Sequence, residues 1–135
     1  MNTTEQTKQL VQQFIHSLSN RELNTIRELF AQVVDWYIPG NELLAPWLGK
    51  RSTKQEVGAF YQQLWQQTQP LSAQIDLILC QGNLAVVTGE FSTRMLQTEK
   101  VVNSPFSIQL AVENNLITKY RLLEDSYAVS ISLSF

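Results

Sequence analysis

Apolar residues recur at helical spacing three times in the first half of the chain. Leu10, Val11, Phe14, Ile15 and Leu18 form one stripe. Leu23, Ile26, Leu29 and Phe30 form a second, and Val57, Phe60, Tyr61, Leu64 and Trp65 a third. Residues three and four apart share one face of an α-helix, so each stripe predicts a helix with that face buried. Capping signals precede all three: Thr3 to Gln6, Ser19 to Glu22, and Ser52 and Thr53 with Gln55 and Glu56 three residues on. Gln62, Gln63, Gln66 and Gln67 fall on the polar side of the third helix, and Pro70 prevents its continuation.

Between the second and third stripes the period is two. Val34, Trp36 and Ile38 alternate with Val33, Asp35 and Tyr37, which predicts a strand. A loop carrying Pro39, Gly40, Pro46 and Gly49 follows. Beyond Pro70 the period of two returns in Ala73, Ile75, Leu77 and Leu79. Gln81-Gly82-Asn83 turns the chain into long runs over residues 84–96 and 99–113, and Glu113-Asn114-Asn115 turns it into a last run near 116–127. Consecutive strands joined by short polar turns predict an antiparallel meander. Gly89 and Pro105 interrupt two of the long runs and mark bulges or bends. The expected fold is therefore α+β: three N-terminal helices packed on a strongly curved, mostly antiparallel sheet, which together form a cone.

Composition narrows the function classes. At 135 residues, with 44% hydrophobic and 16% charged, residues 1–135 read as one folded domain. The net charge of -2 and the lack of a basic run argue against nucleic acid as a partner, since that affinity comes from cations meeting phosphates. Lys50, Arg51 and Lys54 cluster where the third helix begins and read as a solvated face. The opening MNTTEQTKQ is polar, unlike a signal peptide, and no apolar run approaches the roughly 18 residues of a membrane span. No membrane partner is expected, and the cytoplasm is the default location. Cys80 has no second cysteine to pair with and reads as a small buried hydrophobe.

Several chemistries drop out. His16 is the sole histidine, and on an ideal helix it lies about 170° from the centre of the Leu10, Phe14 and Leu18 stripe, facing away from the core. One histidine and one cysteine fall short of a zinc set, so no metal is expected. Neither a P-loop nor a GxGxxG run is present, and no cofactor is expected. Carboxylates in apolar surroundings remain. Glu124 and Asp125 follow Tyr120, Leu122 and Leu123 near the end of the last strand. A carboxyl in an apolar pocket is held in its neutral form more strongly than usual and can act as a general acid or base. Pairing with a nearby arginine, or plain solvation, is the competing reading. Glu90 and Arg94 share one face of a middle strand and read as an ion pair.

Three segments, VDWYIPGN, PWLGKRSTKQEVGAFYQQL and RLLEDSYAVSISL, resemble the nuclear transport factor 2-like superfamily, the cone-shaped fold of ketosteroid isomerase and the SnoaL-type polyketide cyclases. That superfamily hosts isomerases, cyclases, hydrolases, dehydratases and plain binders, so the resemblance implies a fold more than an activity. Ketosteroid isomerase works with a base aspartate and with a tyrosine and a protonated aspartate as oxyanion donors. The resemblance carries that tyrosine onto Phe14, the base aspartate onto Ile38 and the second aspartate onto or beside Ile108. None of these has the polar group that mechanism needs. The SnoaL-type acid–base aspartate falls on Asp125, whereas strand parity favours Glu124, on one face with Tyr120 and Leu122. The family geometry turns Trp36 and Ile38 inward and sets Trp47 at the entrance, with Phe14, Phe60, Ile108 and Tyr120 shaping the pocket. Trp36 reads equally well as core packing. The expected ligand is a small apolar molecule, and the resemblance also implies a homodimer through the sheet face that carries Val86, Thr88, Glu90, Ser92 and Arg94. The alternative is a non-catalytic dimeric interaction module of the same fold.

Overall fold

A computed structural model describes residues 2–135. Helix α1 (Thr3–Ser19) starts at Asn2, whose side chain accepts from the Glu5 amide at 2.9 Å. The cap thus falls one residue before Thr3. The neighbouring threonines serve tertiary contacts instead: the Gly82 amide donates to the Thr4 hydroxyl, and the Thr7 hydroxyl donates to the Gly82 carbonyl. Helix α2 (Leu23–Glu28) has no side-chain cap, because the Ser19 hydroxyl donates back to the Ile15 carbonyl. It ends at Leu29, and Phe30 opens β1 (Phe30–Ile38).

Strand β2 (Gly49–Thr53) lies inside the expected loop and pairs antiparallel with β1. Helix α3 (Lys54–Gln67) begins with a reciprocal cap. Thr53 Oγ1 accepts from the Glu56 amide at 3.2 Å, while Glu56 Oε1 accepts from the Ser52 amide at 2.9 Å. Four long strands follow: β3 (Thr68–Gln81), β4 (Leu84–Met95), β5 (Val101–Glu113) and β6 (Leu116–Glu124). They make one curved sheet in the order β2-β1-β6-β5-β4-β3, antiparallel throughout except for the parallel pair β1–β6.

The described residues contain a fourth helix, α4 (Ser126–Ser132), which corrects the expected count of three; β1 stands between α2 and α3 as the alternation there predicts, with the unexpected β2 beside it. Tyr127, Val129 and Ile131 alternate as in a strand, but the Asp125 side chain accepts from the Ala128 amide at 3.0 Å and starts a helix there. Pro70, which stops α3, lies inside β3. Because β3 is an edge strand, a missing N–H is tolerated on its open side.

Curvature has a local cause. A Cβ on Gly89 would overlap the Gln74 carbonyl oxygen, so only glycine lets β3 approach this closely, and the β3–β4 register shifts beside it, between Ile75 and Leu77. Pairing of β4 with β5 runs unbroken through Pro105. The concave face buries Ala85, Val87, Ile108, Leu110 and Tyr120, and the helices cover it with Leu10, Phe14, Ile26 and Phe60.

Candidate functional site

Trp36 on β1 and Tyr120 on β6 are direct partners in the parallel pair, and their rings stack. Phe30, Phe60 and Tyr61 pack around Trp36, and Phe14 meets Phe30 and Tyr120 edge-on. Rings packed edge-to-face and offset favour one another beyond their buried area, so this cluster holds the middle of the molecule rigid. Two of its members, Phe60 and Tyr120, line a cavity of about 550 Å³ between the sheet and helices α1 and α3.

Ile38, Trp47, Phe60, Ile108, Tyr120 and Glu124 all line that cavity. Phe14 and Trp36 do not. Both are fully buried behind the lining, where Trp36 backs Tyr120 and Phe60. Of the two roles weighed for Trp36, packing is the one its surroundings match. Asp125 is also outside the lining: it is exposed and occupied in capping α4. The two neighbouring carboxylates therefore have different surroundings. Leaving the strand at Glu124, the chain turns Asp125 away, and the Asp125 amide donates to the buried Ser104 hydroxyl at 2.8 Å.

Glu124 has no ion-pair or hydrogen-bond partner among the described residues, and burial alone raises its pKa to about 7. That makes it a carboxyl that is half protonated near neutrality. Tyr120, four residues earlier on the same face, keeps its phenolic proton at any ordinary pH, because burial raises its pKa; the neighbouring Tyr61 phenol offsets part of that rise and Glu124 adds to it. Tyr61 is raised for the same first reason, with the Tyr120 phenol contributing. The two phenols act on one another electrically, yet Tyr61 Oη has no hydrogen-bond partner of acceptable geometry.

Arg51, expected on a solvated face, turns inward. Its Nη1 donates to the Glu56 carbonyl at 2.8 Å and its Nη2 to the Trp47 carbonyl at 3.4 Å, with the guanidinium 5.6 Å from the Phe60 ring centre. It thereby ties the Trp47 loop to the start of α3 and fixes one side of the cavity. Lys54 stays outside, paired with Glu28. His16 is exposed beside Asn20. Glu90 and Arg94 form no ion pair; Arg94 donates to Gln69 instead. Among the described residues, no group of histidine, cysteine and acidic side chains could hold a metal, and no helix is long and apolar enough to cross a membrane. Arg21 and Trp65 also line the cavity; the sequence placed Trp65 in the third stripe without a pocket role, and Arg21 lies in the turn between α1 and α2, outside any stripe.

A curved six-stranded sheet closed by helices over an apolar cavity defines an α+β protein of the nuclear transport factor 2-like class. The chain belongs to the SnoaL-like domain family, which matches residues 11–120. An NTF2-like protein from Burkholderia xenovorans LB400 superposes with a TM-score of 0.89 at 18% identity, over 99% of this chain and 100% of that one. A putative isomerase from Bacillus subtilis gives a TM-score of 0.81 at 13% identity, over 100% and 99%. An LEH-like epoxide hydrolase from M. tuberculosis gives a TM-score of 0.75 at 14% identity, over 96% and 90%. At these identities the likeness is one of fold. None of the curated proteins compared with the chain is a significant match.

Proposed function

We propose that the protein binds a small, mainly apolar molecule in the cavity and moves a proton on it, with Glu124 as acid–base group and Tyr120 as hydrogen-bond donor. The carrying observation is an unpaired carboxyl with a pKa of about 7 on the wall of a cavity of about 550 Å³. A group whose pKa matches the working pH exists in both protonation states and transfers protons most effectively. Tyr120, protonated and facing the same space, can donate to a carbonyl or ether oxygen as charge builds on it. Ile38, Trp47, Phe60 and Ile108 exclude water and favour a flat, apolar body. Phe14 and Trp36 contribute from behind by fixing Tyr120.

The epoxide hydrolase among the similar folds makes strained cyclic ethers the first substrates to try. Opening one with water needs a base that takes the proton of the attacking water and a donor for the ring oxygen as its carbon–oxygen bond breaks. Turnover should follow an apparent pKa near 7 and fall by about 10²–10⁴ in Glu124→Gln, while Asp125→Asn retains it. Activity that survives Glu124→Gln would sink the assignment.

A homodimer accompanies this reading. Leu77, Leu79 and Leu84 are exposed, and the outward Val86 is the cross-strand partner of Leu79, which together make an apolar strip on the outer face of β3 and β4. Such a strip supports pairing through the sheet in addition to ligand binding, and a non-catalytic dimeric module would leave the open cavity and its carboxyl without a role.

A further inference from the structure

The turn between α1 and α2 places Arg21 in the left-handed region, with φ 51°. Glycine and asparagine accept that conformation readily, whereas arginine adopts it at a cost. The side chain it carries reaches Trp65 on α3, with the guanidinium carbon 5.4 Å from the ring centre. Arg21 is exposed and yet lines the cavity, so it stands at the rim. Among the described residues it has no carboxylate partner; the ion pairs there are Lys54–Glu28 and Arg121–Asp35. It is also the one cation among the residues lining the cavity, and Glu124 is the one carboxylate.

A guanidinium laid on an aromatic face is held in direction and partly stripped of water, while its N–H edge stays free. That edge matches the two oxygens of a carboxylate or sulfonate. The walls nearby, Ile15, Leu18, Leu64 and Leu71, are apolar. An ionised Glu124 repels an anion, which directs the acidic end of a ligand to the rim.

We propose that the cavity is built for an apolar monoanion, with the hydrocarbon or aromatic body inside and one carboxylate-type group paired with Arg21 over Trp65. The proposal rests on the cavity being a ligand site and adds the charge and orientation of the ligand.

Two fluorescent probes separate the two claims. 1-Anilinonaphthalene-8-sulfonate and N-phenyl-1-naphthylamine share an aromatic frame and differ by the sulfonate. Wild type should bind the sulfonate more tightly by about threefold to tenfold, the span expected for an ion pair at a partly desolvated rim. Arg21→Asn, which keeps the left-handed backbone, should erase the preference while leaving the neutral probe within about twofold, and Arg21→Lys should retain part of it. Added salt should weaken only the sulfonate, and only where the cation is present. Ala73→Trp, which fills the lining, should exclude both probes. Equal binding of the two probes by wild type, or a preference that persists in Arg21→Asn, overturns the anion assignment and leaves the cavity reading intact. Binding indifferent to Ala73→Trp, or absent for both probes, overturns the cavity reading and the assignment with it.

Discussion

The rings of Trp36 and Tyr120 lie 3.9 Å apart at their centres, with planes 10° from parallel. This contact joins β1 to β6 and sets the orientation of the phenol that faces the cavity. Trp36→Ala should cost about 3–5 kcal/mol, the usual range for emptying a large aromatic site. Trp36→Phe should cost less, since a ring remains to back Tyr120. Urea unfolding of both variants checks the order.

Stability should fall as pH rises from about 4.5 to 7. The folded state holds the Glu124 proton at a pKa of about 7, against an ordinary value of 4.5. Between those limits the folded state binds more protons than the unfolded one, so raising pH favours unfolding. The full effect is at most about 3 kcal/mol. Other groups titrate in the same window, so the readout is the difference between wild type and Glu124→Gln. The variant should gain on wild type as pH increases, and equal slopes in thermal melts would refute the buried-carboxyl account.

Ketosteroid isomerisation should be undetectable. Phe14 lies in the core, and Ile38 and Ile108 line the cavity with no polar group to offer. Losing one oxyanion donor typically costs about 10²- to 10³-fold, and loss of the base compounds it. Assay of a Δ5-3-ketosteroid at high enzyme concentration tests this, and robust turnover would contradict it.

Gly89→Ala should unfold β3 from the sheet edge or destabilise the whole protein by more than about 2 kcal/mol, well beyond the ordinary surface substitution. The new Cβ meets the Gln74 carbonyl and the Phe106 ring, and neither can retreat without breaking the bulge. Amide exchange localised to β3 distinguishes the two outcomes.

Sedimentation at micromolar concentration should give a dimer, and Leu79→Glu should shift it towards the 15.5 kDa monomer without loss of fold. A charge placed in a small apolar interface is costly to desolvate. A wild type that sediments only as monomer would remove the apolar strip from consideration as a contact.

The long periodic elements were legible in the sequence because burial enforces their period. The stripe through Phe14 and Leu18 and the alternation through Trp36 and Ile38 both follow one buried face. Strand β2 was not legible, since Gly49-Lys50-Arg51-Ser52-Thr53 is an edge strand held by pairing to β1 rather than by apolar side chains. Helix α4 was hidden by serines alternating with Val129 and Ile131. Of the cavity, parity along β6 separates Glu124 from Asp125. The rim could not be read, because the contact of Arg21 with Trp65 depends on how two helices pack, and spacing within either one does not encode that.

The parallel pairing of β1 with β6 has a consequence for biosynthesis. Asp35 and Arg121, which meet there, are 86 residues apart in the chain. The aromatic wall and the cavity behind it therefore cannot form until β6 has left the ribosome. Until then α1, α2 and β1 carry Phe14, Phe30 and Trp36 without Tyr120, the partner all three share, so this apolar stretch stays incompletely packed through most of synthesis.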